Sequence, residues 1–141
     1  NYEDEFITQL SISDFENDEV TLVCYGGVTD IVIKSAYEFF LEKEISCRII
    51  IFSKLSDINE EVFKKLIANE GPILSIEESN KFFGFGSEIG TIIKEDEKLK
   101  DRKFKRIASK NKVIPASMAL EKDTLISSKE IKNNISEILN A

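Results

Sequence analysis

The hydrophobic positions of this chain fall into short continuous runs, separated by longer segments of mixed polarity. Four such runs predict buried strands, at Val20–Tyr25, Cys47–Phe52, 73–76 and 104–108. A strand that is apolar on both faces is typical of a parallel sheet covered by helices on each side. Residues 8–15 alternate only loosely between apolar and polar positions, and they predict an edge strand.

The segments between these strands predict helices, at 28–43, from Glu60 onward, at 87–95 and after Ser127. Strands that alternate with helices are joined by right-handed crossovers. The sequence therefore predicts one α/β domain over residues 1–141, with three α/β/α layers and a five-stranded, mostly parallel sheet. Residues 111–125, between the last strand and the last helix, predict an ordered loop.

Polar residues mark where the helices begin and end. Thr29 or Asp30 lies near the start of the first helix, and Asn59 predicts the N-cap of the second. We expect the second helix to end at Gly71 and Pro72. Ser127 and Glu130 have capping-box spacing, and an apolar stripe follows them on the last helix. That stripe consists of Ile131, Ile135 and Ile138.

Composition predicts a protein of the cytoplasm. No apolar run approaches the roughly 20 residues that cross a bilayer, and no signal peptide is visible. Cys24 and Cys47 lie in apolar runs, which favours buried reduced thiols over a disulfide or a metal pair. Because the chain starts at Asn1, we expect a fragment in which residues 1–7 are a linker from an upstream domain.

Histidine is absent from all 141 residues. This removes the usual general base at neutral pH, the Ser-His and Cys-His pairs, and the commonest transition-metal ligand. Two separated cysteines are too few ligands for a structural zinc ion. The sequence therefore disfavours an autonomous enzyme, and we assign no catalytic, cofactor-binding or metal-binding residue.

Charge is unevenly distributed along a chain of net charge −7. Residues 1–19 hold seven acids and no base, whereas residues 94–112 hold nine Lys or Arg against four acids. The two runs are either solvated surface or a pair of complementary docking patches, because charge steers association more than it sets a fold. Nucleic-acid binding is disfavoured, since the chain is acidic and the basic run lacks interleaved aromatic residues.

The segment from Gly71 to Ile89 is the most informative stretch, because it predicts a strand, a loop at the strand's carboxyl end and a helix start at Ser87. Gly84 and Gly86 begin a dinucleotide-binding fingerprint, but Ile89 occupies the third glycine position and the signal is weak. We expect these glycines to supply unusual backbone angles. The N–H groups of Ser87 and Glu88 could hold an anion, with the Glu88 carboxylate as a competitor.

Two acids and three aromatic residues of this segment are candidates for an interface. Glu77 and Glu78 are neighbours on a strand, so their side chains point to opposite faces and cannot act as a pair. Phe82, Phe83 and Phe85 crowd one loop, and such clusters mark contact surfaces. We expect Phe85 to turn inward and the others to cover a neighbour. The candidate interface residues are Glu77, Glu78, Phe82, Phe83, Phe85, Ser87 and Glu88.

Several blocks resemble the carboxy-terminal domain of the transketolase superfamily in their order and spacing. They are Val20-Thr-Leu-Val-Cys-Tyr-Gly26, residues 55–62, Phe83-Gly-Phe-Gly-Ser-Glu-Ile89, Arg106-Ile107, Ile114-Pro115 and Leu120-Glu121. The arrangement is most similar to the beta subunit of thiamine-diphosphate-dependent 2-oxoacid dehydrogenases of the pyruvate dehydrogenase type. The resemblance also implies that the edge strand is antiparallel.

The chain departs from that family pattern at five positions. Asp57 and Asn59 stand where Pro and Asp are common, and Phe83 stands where a further glycine is usual. Lys112 stands where an acid is frequent, and Ile126 replaces a common proline. These departures leave the predicted fold intact and weaken the choice among beta-type enzymes.

The resemblance implies a non-catalytic assembly domain. Thiamine diphosphate and a divalent metal would lie between two other domains of the full-length enzyme, so no cofactor is expected on this one. Expected partners are a pyrimidine-binding domain of the same chain, a second beta subunit, alpha-type subunits and, in complex-forming members, an acyltransferase core. The alternative function is a free-standing α/β module that binds a phosphate or another anion at the Ser87 helix start.

Overall fold

The computed structural model describes residues 4–13, 18–68, 71–109 and 126–141. The strands in this part of the chain are β1 (Ile7–Ser11), β2 (Val20–Tyr25), β3 (Cys47–Phe52), β4 (Ile73–Asn80) and β5 (Phe104–Ser109). The α-helices there are α1 (Thr29–Lys43), α2 (Glu60–Leu66), α3 (Phe85–Glu95) and α4 (Ser128–Asn140). A short 3-10 turn, Gly26–Val28, joins β2 to α1.

The strands form one five-stranded sheet in the order β1-β3-β2-β4-β5. β1 pairs with β3 antiparallel, with Ile7 opposite Phe52, and the remaining pairs are parallel. This confirms the mostly parallel sheet with one antiparallel edge strand. The edge strand is shorter than the predicted 8–15: it begins at Ile7 and ends at Ser11. The Ile7 side chain, at the start of β1, is buried in the core.

Helices cover both faces of the sheet, as the continuous apolar strands predicted. On one face α1 and α4 pack over the sheet around Leu22, Ile49 and Leu74. On the other face α2 and α3 pack around Val23 and Ile50. Leu22 and Val23 are neighbours in β2, and both are fully buried on opposite faces. The three-layer α/β/α architecture is therefore confirmed.

Two of the predicted helix caps are present. The Asn59 side chain accepts a hydrogen bond from the Val62 backbone N–H at 3.3 Å, and Ser127 accepts one from the Glu130 N–H at 3.2 Å. The stripe on α4 is buried at all three isoleucines. α1 has no side-chain cap, because the 3-10 turn leads directly into it.

The predicted end of α2 at Gly71 and Pro72 is wrong, since the helix ends at Leu66. Two arginine side chains bind the carbonyl groups at and after its carboxyl end. Arg48 Nη1 donates to the Leu66 carbonyl at 2.9 Å, and the Arg102 guanidinium donates to the carbonyls of Ile67 and Gly71. Cationic side chains stabilise the negative end of a helix, so a glycine stop is not needed here.

Two boundaries predicted within the segment from Gly71 to Ile89 are also wrong. β4 continues to Asn80 rather than stopping at residue 76, and α3 begins at Phe85 rather than Ser87. The predicted loop 111–125, together with Phe15 at the end of the predicted edge strand, lies outside the described residues. Within the described residues, no helix has the length and apolar character needed to span a membrane.

Candidate functional site

The carboxyl ends of β2 and β4 form the point at which the sheet connections diverge. β2 leads through α1 to β3 on one side, and β4 leads through α3 to β5 on the other. Such a divergence opens a crevice at the carboxyl edge of a parallel sheet, where ligands and partners bind in α/β proteins. The loop between β4 and α3 lies at this crevice.

Glu77 is the centre of a buried polar network at the end of β4. Its side chain is fully buried, and its Oε1 accepts a 2.9 Å charged hydrogen bond from Arg106 Nη2 on β5. Its Oε2 accepts from Ser79 Oγ at 2.8 Å and from the Gly86 backbone N–H at 3.2 Å. Arg106 Nη2 also donates to the Lys81 carbonyl at 2.6 Å. The network therefore attaches the loop and the start of α3 to the sheet.

Gly84 and Gly86 are required for close packing, which corrects the expectation of unusual backbone angles. Gly84 has an ordinary φ of −82°, and neither glycine has a positive φ. A Cβ at Gly84 would lie 2.4 Å from Glu77 Oε2. A Cβ at Gly86 would lie 2.6 Å from Ser75 Oγ and 2.8 Å from Glu77 Oε1. The glycines thus make room for the buried carboxylate.

The amino end of α3 already holds an anion, namely the Glu77 carboxylate. Gly86 donates its backbone N–H to that carboxylate, and Ser87 donates its N–H to the Gly84 carbonyl at 2.9 Å. An external anion at Ser87 and Glu88 would find the Ser87 N–H in use and a buried negative charge close by. This geometry argues against the anion-binding alternative.

Glu78 points away from Glu77, as the strand geometry predicted. Glu77 is fully buried whereas Glu78 is exposed, and the Glu78 carboxylate lies beside Gly27 in the 3-10 turn after β2. The two carboxylates therefore face different surroundings and do not form an acid–base pair. The described residues contain no group of acidic or cysteine side chains arranged to bind a metal ion.

The three phenylalanines of the segment divide into one inward and two outward side chains. Phe85 packs edge-to-face against Tyr25 and Phe52, with ring centroids 5.1 Å and 5.2 Å away. Phe82 is 69% exposed and Phe83 is fully exposed. Phe83 also has a φ of +57°, in the left-handed region that a bulky residue rarely adopts. A glycine at this position would adopt the same backbone conformation without strain.

The crevice itself has a volume of about 710 Å³. Its lining is polar and apolar in about equal parts, and the apolar part is contributed by Tyr25, Leu55, Ile58, Phe83, Phe85 and Ile92. Three serines and two carboxylates, those of Glu60 and Glu88, also line it. Phe83, Phe85, Ser87 and Glu88 of the predicted set therefore share this crevice, whereas Glu77 lies beneath it and Glu78 lies on the opposite face.

Sequence reasoning missed Arg106 as a member of the site. An arginine inside a buried strand needs a buried acid as its partner. The position of Arg106 in the predicted strand 104–108 could therefore have identified it. The same rule applies to Arg48, whose Nε lies 3.2 Å from the buried Asp18.

Several side chains of the two charged runs form ion pairs or hydrogen bonds within the domain. In the basic run, Lys100 pairs with Glu97, Lys105 with Glu137 and Arg106 with Glu77. In the acidic run, Asp18 Oδ1 accepts from Ser46 Oγ at 2.6 Å. These contacts favour structural and solvated roles over a pair of docking patches.

Comparisons with known proteins agree with this architecture. The model of the family described as transketolase, C-terminal domain, matches residues 12–131. A search of curated proteins gives no match. Among solved structures, a transketolase from Pichia stipitis superposes with a TM-score of 0.65 at 11% identity, over 94% of this chain and 18% of that one.

A second similar structure is the 2-oxoglutarate:ferredoxin oxidoreductase from Magnetococcus marinus, determined with 2-oxoglutarate, coenzyme A and succinyl-CoA bound. The TM-score is 0.62 at 10% identity, over 94% of this chain and 20% of that one. At such identities the likeness shows the fold alone. This chain spans about a fifth of the length of either relative. Because the family model covers most of its residues, the chain belongs to the family of transketolase C-terminal domains.

Proposed function

We propose that this chain is a non-catalytic assembly domain of a thiamine-diphosphate-dependent enzyme, and that it associates with its neighbours through the loop from Phe82 to Glu88. The observation that carries the proposal is the exposure of Phe82 and Phe83, at 69% and 103%, in a loop where Phe83 lines the crevice. Two adjacent aromatic side chains in water are costly, at about 25 cal/mol for each Å² of apolar surface. A neighbouring domain or subunit would remove that cost.

Hydrogen bonds to the sheet fix the loop that carries these side chains. Arg106 bridges the Glu77 carboxylate and the Lys81 carbonyl, and Glu77 binds the first turn of α3. A surface that is already ordered loses little conformational entropy when it binds a partner. Phe83 has a strained backbone conformation, although its side chain is exposed and gains no burial in the core. Strain of this kind is found at functional positions.

The finer assignment is the carboxy-terminal domain of a cytoplasmic 2-oxoacid dehydrogenase beta subunit. It rests on the order and spacing of the sequence blocks. Thiamine diphosphate and a divalent metal would then be held by other domains. The neighbours of the loop would be the pyrimidine-binding domain, a second beta subunit or an alpha-type subunit, with an acyltransferase core in complex-forming members.

The test is Phe83→Asp in the full-length enzyme and in this chain alone. We expect assembly of the enzyme to weaken at least tenfold, because a carboxylate would replace an apolar contact at the interface. The melting temperature of the isolated chain should stay nearly unchanged, since the side chain is fully exposed. Analytical ultracentrifugation and thermal denaturation supply the two measurements.

Leu41→Asp is the matched control. Leu41 is 64% exposed on α1, away from the crevice, so this variant should assemble normally. If Phe83→Asp unfolds the isolated chain while assembly persists, then Phe83 supports the fold and the interface lies elsewhere.

A further inference from the structure

We propose that the partner segment at this crevice presents a basic side chain, Arg or Lys, next to an apolar one. This inference rests on the proposed function, and it names the chemistry of the partner. An apolar side chain of the partner would contact the walls formed by Leu55, Ile58 and Phe85. Its cation would lie beside the carboxylates of Glu88 and Glu60.

The first argument is the balance of charge in the crevice. Among the described residues, two carboxylates line it and no lysine or arginine does. Glu60 forms a 3.0 Å ion pair with Lys64 on α2, whereas Glu88 forms no ion pair within the described part of the chain. Lys54, from the strand–helix connection nearby, is held by Asp57 at 3.2 Å and lies over the Phe6 ring at 4.9 Å. A cation from outside would therefore be the partner of Glu88.

The second argument concerns the helix ends that face the crevice. The positive amino ends of α2 and α3 would repel a cation. The Asn59 side chain and the acids of its first turn cover the amino end of α2, and the Glu77 carboxylate covers that of α3. Both positive ends are thus compensated from within the domain. The Glu88 carboxylate, in the first turn of α3, is exposed and has no ion-pair partner among the described residues.

The third argument disfavours the same crevice of a second copy as the occupant. A two-fold interface places the same surface on both sides. The described lining of both crevices would then bring carboxylates and no cation, and like charges at close range disfavour association. A basic segment from a different domain or subunit meets no such repulsion. The exposed Phe83 ring and the Tyr25 ring add aromatic faces that attract a cation.

The test uses two peptides that differ in charge alone. N-acetyl-Leu-Arg-amide and N-acetyl-Leu-citrulline-amide have side chains of nearly equal size, and only arginine is charged. The isolated chain, labelled with 15N, is titrated with each peptide at low salt. We expect the arginine peptide to bind about fivefold more tightly, as a close ion pair in a solvated site provides. Shifted amide signals should include those of Ser87 and Glu88.

Glu88→Gln should remove the difference between the two peptides, whereas Glu95→Gln, on the last turn of the same helix, should leave it intact. Equal binding of both peptides, binding of neither, or an unchanged ratio in Glu88→Gln overturns the inference. If Phe83→Asp weakens assembly while the peptides bind equally, only this inference is wrong. If assembly does not depend on Phe83, the proposed function is wrong, and the inference fails with it.

Discussion

At the scale of single residues, the two buried cysteines show how a strand interior changes side-chain chemistry. Neither thiol is exposed to solvent. Burial raises the pKa of Cys24 from 9.0 to about 11. Burial, together with the charges of Asp18 and Glu19, raises the pKa of Cys47 to about 12. Both residues are free thiols in the structure, and both stay protonated at neutral pH.

We expect these thiols to weaken the fold at alkaline pH. A raised pKa in the folded state means that the thiol's contribution to stability is complete below pH 9 and is lost as the pH rises through the folded pKa. The free energy of unfolding of the native chain, minus that of Cys24→Ala, should fall by about 2 kcal/mol between pH 8 and pH 10.5. Urea unfolding at the two pH values measures it. A difference that does not change with pH would contradict the assigned burial effect.

At the scale of elements, the junction of β4, α3 and β5 depends on one buried ion pair. Glu77 is fully buried and the Arg106 side chain is 19% exposed, so each needs the other. A buried carboxylate with one cation and two further donors is a satisfied group. Removing one member of such a pair leaves a buried charge without a partner, which is strongly destabilising.

We expect Glu77→Gln to lower the free energy of unfolding by about 3 kcal/mol, because the amide keeps the size of the side chain and removes its charge. Glu78→Gln is the matched control. It changes the neighbouring exposed residue and should alter stability by less than about 0.5 kcal/mol. Urea denaturation of the three proteins compares them directly. Equal stabilities would mean that the Arg106 charge is compensated by solvent instead.

At the scale of the whole molecule, the described residues present one open crevice at the carboxyl edge of the sheet and two exposed phenylalanines. The chain has no histidine, and the buried carboxylates of Asp18 and Glu77 both form ion pairs with arginine. The crevice at the carboxyl edge of the sheet is lined by polar and apolar side chains, and the exposed Phe83 is one of them.

We therefore expect the isolated chain to be catalytically inert and to bind no thiamine diphosphate, because the proposed cofactor site belongs to other domains. Isothermal titration calorimetry with thiamine diphosphate and Mg²⁺ should show no binding heat beyond dilution. Binding in the micromolar range would require a cofactor site on this domain, and the proposed division of roles would then be wrong.

The sequence by itself determined the architecture. Continuous apolar runs of the lengths seen in β2 and β3 require cover on both faces, so periodicity alone predicted the layers and the parallel sheet. Asn59 and Ser127 marked helix starts because a cap is a contact between near neighbours in sequence. The observed boundaries of β4 and α3 differ from the predicted ones, because the segment between these elements is held by a contact with β5.

Only the tertiary structure decided what the polar and glycine residues of the site do. Glu77 and Arg106 are 29 positions apart, and they meet because β4 and β5 are adjacent in the sheet. Gly84 and Gly86 are required because the Glu77 carboxylate packs against them, and Phe83 has a positive φ that its sequence does not predict. Local patterns report burial and periodicity, whereas side-chain partners across a sheet follow from strand order, which no local pattern contains.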